Sequence, residues 1–475
     1  MRARTPLLLL LLAAALTSAS ALGQPAPEAP TPPPLQTTPI AIPPPPDVND
    51  PMLAPMPPAP RSIATLDEAL GLVKARSTDL RIAQLEVERA AAQSRIALAG
   101  LLPTINGNVS ATHQLITTDS QVLIGANGQT PITRTVSTPT PNSLTGGAQI
   151  TQPLINVRNW HSWGTAREFE KAQQLSLEDV QRNLALGLAN ALVAVVTAER
   201  VAELNRVGFR NALERLDLPR RRRTLGAATG LDVVRAQQDV EAARATLVTG
   251  DESLIQAREA LGLAVGIPKQ IGVAKDLNID GLEKAALSSC RVAPTLEDRA
   301  DIAAARQNVL VAARNADNVK LQFLPTLSAQ SQVGTTTVDT GSAPATTWNI
   351  QGVLSIPLWE GGARYGMLRD ANAVTREAEM RLEALRRTAT VQLEQARRGV
   401  SVAETSRKVA ADARALAAET DRLVRAGYIE GQFTSLDLVA AALTLRQSDI
   451  NLALKEFGLV QARVLAILSL ATCPW

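Results

Sequence analysis

The sequence predicts a mainly α-helical protein with a transmembrane β part, built from two structural repeats that each supply two strands and a long coiled-coil-like helical hairpin. Three observations predict it: a unit used twice along the chain, two stretches almost free of charge that alternate apolar with small polar residues, and long alanine- and leucine-rich segments with apolar residues at helical steps.

The repeat comes first because it divides the chain. A helical pattern from Asp79 ends at Leu102-Pro103-Thr104, and one from Asp301 ends at Leu324-Pro325-Thr326, both spanning 24 residues from Asp to Pro. Gln152-Pro153-Leu154 parallels Ile356-Pro357-Leu358, and Gly226 with Asp232 parallels Gly431 with Asp437, six residues apart in each copy. Only the segment between the paired prolines differs, 50 residues against 32. The expected organisation is repeat one over 63–266, an equatorial linker over 267–294, repeat two over 295–470 and a tail over 471–475.

Between the paired prolines lie the strands. Ile105, Gly107, Val109 and Ala111 alternate with Asn106, Asn108, Ser110 and Thr112, and Leu144 to Ile150, Leu327 to Val333 and Trp348 to Ile356 repeat the pattern. Period two marks a strand with one apolar and one polar face. Four strands follow, at about 103–117, 142–153, 325–335 and 347–357. Asp119 and Arg134 are the only charged residues between Leu101 and Val157, and Asp339 is the only one between Leu321 and Trp359. All three are assigned to Gly/Pro/Thr-rich loops. A soluble sheet would carry Lys, Arg or Glu on its wet face; a Thr/Ser/Asn/Gln face suits a water-filled lumen behind a lipid-facing wall. Open edges are not tolerated in lipid, and four strands cannot close a barrel. Two chains would give eight strands and a filled interior, three would give twelve and a pore. Trp160, Trp163, Trp359 and Tyr365 flank the strand ends, as an interfacial girdle or as packing at the strand–helix junctions.

The remaining segments are helical. Phe169, Ala172, Leu175, Val180, Leu184, Leu188, Leu192 and Val195 recur at short helical steps, as do Leu436, Val439, Leu443, Ile450 and Leu454. A helix from Pro153 to Gly226 would be about 100 Å long, far beyond a bilayer. Gly226 and Gly431 suit helix C-caps, and Asp232 and Asp437 suit the first turn of each returning helix.

At the N-terminus, Arg2 and Arg4, the apolar run Leu7–Ala15 and Ala19-Ser20-Ala21 read as a signal peptide over 1–21. A Pro-rich disordered linker is expected over 22–62, with sixteen prolines between Gln24 and Pro60. Past Ile63 no apolar span of helical length is expected. Net charge is +3, so nucleic acid is not an expected partner. Arg220 to Arg223 form the one dense basic patch, either a solvated helix end or a contact for an acidic surface. With His113 and His161 the only histidines, and no phosphate loop or triad, neither catalysis nor a cofactor nor a metal site is expected. A soluble periplasmic coiled-coil scaffold would explain the helices but not the charge-free strands.

The doubled helix–Leu-Pro-Thr–strand unit, Thr151-Gln152-Pro153-Leu154, Ile356-Pro357-Leu358-Trp359-Glu360-Gly361-Gly362, and Tyr428-Ile429-Glu430-Gly431 followed by Leu436-Asp437-Leu438 together resemble the TolC family of outer-membrane efflux proteins over about residues 66–470. The resemblance implies a homotrimer in outer-membrane lipid, with a twelve-stranded β-barrel above a periplasmic α-helical barrel and a belt round its middle. It implies a passive exit duct for tripartite efflux or type I secretion, partnered by a periplasmic adaptor and an inner-membrane transporter. It implies a gate at the periplasmic helix turns, where Tyr428 and Asp232 match a residue pair that ties neighbouring helices and Asp437 matches a luminal carboxylate ring. Phe433 stands where the family can carry a base and Ala440 where it can carry an acid. It also brings the equatorial linker and the C-terminus into one belt, so a Cys290–Cys473 disulfide is expected.

Overall fold

The computed structural model describes residues 48–113, 115, 119–127, 130–137, 142–274, 290–337 and 345–473. The expected signal peptide, most of the Pro-rich segment, and Asp339 lie outside the described residues.

After β1 (Arg61–Ile63), the first repeat runs α1 (Leu66–Arg76), α2 (Thr78–Ala99), β2 (Thr104–His113), β3 (Asp119–Asn127), β4 (Thr130–Ser137), β5 (Asn142–Ile155), α3 (Val157–Thr224) and α4 (Gly230–Ala264). Two short strands, β6 (Ile271–Val273) and β7 (Arg291–Val292), precede the second repeat. That repeat comprises α5 (Ala300–Lys320), β8 (Thr326–Thr336), β9 (Thr346–Ser355), α6 (Ala363–Glu430) and α7 (Ser435–Leu468), and β10 (Ala471–Thr472) follows. Helices α3 and α6 each have 68 residues, about 100 Å at 1.5 Å per residue.

The long helices pair through small residues. Buried positions Val233, Ala236, Val240, Ala243, Leu247, Gly250 and Leu254 of α4 alternate steps of three and four. Leu382, Ala389, Ala396, Ala410 and Ala417 of α6 are buried at steps of seven or fourteen. Both spacings are the seam of a coiled coil. Alanine and glycine at the seam let the helices approach closely; a Cβ on Gly250 would meet the Asn205 amide at 2.4 Å.

The strands form one antiparallel sheet in the order β2-β5-β8-β9. The two hairpins join where Gln149 of β5 faces Gln332 of β8. Polar cross-strand pairs run along one face, Ser110 with Thr145 at 2.6 Å and Gln351 to Gln330 at 3.1 Å. On the other, Ile105, Val109, Trp348, Ile350 and Leu354 are exposed in the single chain. The Trp348 indole N–H donates to Ser331 Oγ at 2.9 Å, covering a hydroxyl that lies on the apolar face.

Three expectations need correction here. The strand expected to reach residue 117 ends at His113, and the segment expected as a loop holds a second hairpin, β3 paired with β4. Asp119 and Arg134 therefore lie in strands. A cue was present in the sequence, the turn-forming Asn127-Gly128 dipeptide between runs with β-branched residues, although Asn127 itself pairs with Thr130 as the last residue of β3; the Gly/Pro/Thr-rich surroundings masked it. Nor is the chain past Ile63 without an apolar helical span: one window of α3 is long and apolar enough to cross a bilayer by length and composition. Ala185, Leu188, Ala189, Leu192, Val193 and Val195 of α3 sit in the largest core cluster. That cluster is the belt: α1, β1, β6, the ends of α4 and α7, and both cysteines pack on this stretch of α3.

In the belt β1 pairs parallel with β6 and β7 pairs antiparallel with β10. The tail and linker thus meet, and Cys290 and Cys473, 183 residues apart in sequence, are bonded with an S–S distance of 2.02 Å.

The Pro-rich stretch also departs from expectation, because its end lies along α3 and α4 as a strap. Proline has no N–H, so such a strap chiefly has carbonyls to satisfy. Arginines supply the donors: Arg206 Nε to Ala54 O at 3.2 Å and Arg258 Nη1 to Pro57 O at 2.9 Å. Arg244 pairs with Asp50 at 3.7 Å, and Leu53 packs on the cluster around Phe209.

Alkylation of unreduced protein is expected to leave its mass unchanged and, after reduction, to add two adducts; closing so long a loop predicts that Cys473→Ser costs about 2–5 kcal/mol in unfolding measurements. Arg258→Ala is expected to cost about 2 kcal/mol locally and to render residues 48–60 cleavable by a non-specific protease in limited digestion.

Candidate functional site at the helix turns

The two hairpin turns are built alike from the backbone up. In the first, α3 ends as Gly226 takes φ +74°; its N–H bonds Arg223 O at 3.0 Å and that of Ala227 bonds Arg222 O at 2.8 Å. In the second, Gly431 takes φ +86°; its N–H bonds Tyr428 O at 3.2 Å and that of Gln432 bonds Gly427 O at 2.8 Å. Left-handed φ is glycine's territory, and both turns have the Schellman pattern. Three residues later Thr229 and Thr434 cap the returning helices, each in a reciprocal capping box with Asp232 or Asp437.

The aspartates diverge in their remaining contacts. Asp437 accepts from the Thr434 amide at 2.9 Å and hydroxyl at 2.6 Å, within its own hairpin. Asp232 accepts the equivalent pair from Thr229, both at 2.8 Å. It also accepts from the hydroxyl of Ser435, the first residue of α7, so the carboxylate joins the two hairpins. The Ser435 hydroxyl, then the Thr229 amide and hydroxyl, hold the Asp232 carboxyl below its ordinary pKa. The Thr434 hydroxyl and amide do the same for Asp437.

Tyr428, 4% exposed, is gripped by Arg222. The guanidinium lies over its ring at 4.9 Å from the centroid and donates to its carbonyl at 2.5 Å. Burial raises the phenol pKa, and Asp232 nearby adds to the rise while Arg222 opposes it. Among the described residues no hydrogen bond joins Tyr428 directly to Asp232. The turn therefore has two cross-hairpin ties, Arg222 with Tyr428 and Ser435 with Asp232. Phe433 packs its ring against Gly427, so the base at this level comes from the other hairpin, as Arg222. Sequence reasoning singled out Asp232, Tyr428 and Asp437 but missed Arg222 and Ser435. The unusual Pro219 and Arg220–Arg223 segment was the one signal for Arg222; Arg221 beside it pairs with Asp217. Nothing in the spacing of Ser435 marked it.

At the opposite end, Trp160 in the first turn of α3 is 54% exposed and Trp359, just after β9, is 75% exposed. Trp163 stacks under Arg167 at 5.4 Å. Among the described residues no group of acidic, His and Cys side chains is placed to hold a metal ion.

The chain thus combines a four-stranded sheet whose edge strands have no partner among the described residues, two paired helical hairpins and a cross-tied turn. The outer membrane efflux protein family matches residues 69–267 and 293–465. The chain belongs to that family and is an outer-membrane protein. It is 24% identical over 288 residues to the probable efflux pump outer membrane protein TtgC of Pseudomonas putida, covering 60% of this chain and 57% of TtgC. It is 24% identical over 291 residues to the cation efflux system protein CusC of Escherichia coli, covering 60% of this chain and 59% of CusC. The alignments thus span less than two thirds of these relatives. A crystal structure of CusC superposes with a TM-score of 0.73 at 20% identity, covering 90% of this chain and 99% of that one. That of VceC from Vibrio cholerae gives 0.69 at 18%, covering 85% and 95%.

A carboxyl held below its ordinary pKa favours the tied turn at neutral pH, and that contribution is lost as pH falls through the depressed value. Single-channel conductance is therefore expected to stay at its resting level until the pH drops below about 4, then rise; Asp232→Asn is expected to conduct at neutral pH as the parent does in acid.

Proposed function

We propose that three copies of this chain assemble into a passive outer-membrane exit duct, gated at its periplasmic helix turns, for a tripartite efflux system. The observation that carries this is the sheet β2-β5-β8-β9, whose outer edges, β2 and β9, have no partner strand among the described residues. Unpaired edges cannot face hydrocarbon. Pairing β9 of one copy with β2 of the next closes a ring, and three copies give twelve strands around a pore. The polar pairs Ser110–Thr145 and Gln351–Gln330 then face water, and Trp348 and Ile350 face lipid. Trp160, Trp163 and Trp359, at the strand–helix junctions, would then lie at the periplasmic interface of the outer membrane.

Below the barrel the hairpins form the walls of the duct, with Asp437 of each copy contributing to a carboxylate ring at its mouth. The relatives' names favour efflux over protein secretion. An inner-membrane transporter and a periplasmic adaptor would supply energy and choose the cargo, since the duct's polar lining selects for size more than chemistry.

Light scattering of the detergent-extracted protein, with detergent subtracted, is expected to give the mass of three chains, and planar-bilayer recording of that particle to give discrete conductance steps. A single chain that stays soluble without detergent would overturn the barrel and the pore together.

A further inference from the structure

Above the turns, four helices converge on buried charges that the gate at the tip does not use. Asp239 of α4 is 4% exposed and Asp421 of α6 is 6% exposed. Arg215 of α3 donates to Asp239 Oδ2 at 3.2 Å, and Arg425 of α6 donates to Asp421 Oδ2 at 3.1 Å. Arg446 of α7, in the other hairpin, places Nη2 3.7 Å from Asp239 Oδ1. It arrives through a slot in α3: a Cβ on Gly208 would lie 2.6 Å from Arg446 Cδ. Gly208 has helical backbone, so its want of a side chain serves this passage and not a turn.

The pair is incompletely made. Asp239 Oδ1 and Arg446 Nη1 are both buried without a hydrogen-bond partner among the described residues. Three guanidinium groups share two carboxylates, and burial lowers the pKa of Arg215 against the pull of Asp239. Such clusters add little to stability compared with apolar packing, while breaking one partner away is costly. A pair less than an ångström from full contact, linking two bodies through a dedicated slot, has the form of a catch.

We propose that Arg446 and Asp239 are a second latch, which ties the second hairpin to the first about 14 Å above the turns and opposes their spreading. This rests on reading the turns as a gate. The two ties share the load, so releasing either one favours splaying of the helices.

Single-channel conductance of the purified trimer tests it, with Arg446→Met, Gly208→Ala and the tip variant Asp232→Ala compared with the parent. Both latch variants are expected to raise the open fraction about tenfold or more, the scale of a broken desolvated charge pair, at unchanged trimer mass. Gly208→Ala keeps every charge and decides the matter if Arg446→Met does not assemble. Parental conductance in the latch variants overturns the latch whatever Asp232→Ala does; if Asp232→Ala opens in that case, the tip gate stands alone. Opening in the latch variants with a silent Asp232→Ala upholds the latch and removes the gate from the turns.

Discussion

A backbone amide inside a bilayer has no water to bond, and that constraint governs the rest of this chain. It requires every strand to be paired, yet the described residues supply four strands to this one open sheet. On the proposed reading the missing pairings come from other copies, which makes assembly a condition of inserting the sheet and not a later refinement of it. The same constraint explains the composition of the strands. With no charge on β2, β5, β8 or β9, nothing resists the bilayer, and the Ser331 hydroxyl, set among apolar positions of β8, is covered by the Trp348 indole.

The helices follow from a different balance. Phe, Trp and Tyr make up 3% of the chain, so the hairpins are not held by bulky side chains interlocking. They are held by closeness, with alanine and glycine at the seam and dispersion summed over about 100 Å of contact. Weak attraction per turn leaves the ends open to decision by a few polar ties. Those ties connect hairpins that are each stiff but loosely joined, which is the mechanical arrangement a duct needs if it is to open without unfolding.

Much of this was legible in the sequence because it is periodic. Alternation marked the four sheet strands, the doubled spacing from Pro153 and Pro357 to Gly226 and Gly431 marked two equal hairpins, and the glycine-to-aspartate step of six marked both turns. What stayed hidden depends on contacts between distant segments. Arg222 reads as one of four arginines until it is seen above Tyr428. Gly208 reads as a tolerated helical glycine until Arg446 crosses it. The strap around Asp50 and Pro57 reads as linker, because proline-rich composition signals the lack of internal bonding and says nothing about bonds offered by other helices. The hairpin of β3 and β4 was missed for a local reason: its turn signature was outweighed by the composition around it.

The bond between Cys290 and Cys473 encloses the entire second repeat. Once it forms, that half of the molecule is a covalent ring with no free end. Strands β8 and β9 can then enter the membrane only as a folded-over bight, never by threading, while the first repeat lies outside the ring. The two halves of a nearly duplicated chain would therefore reach the same barrel by topologically different routes.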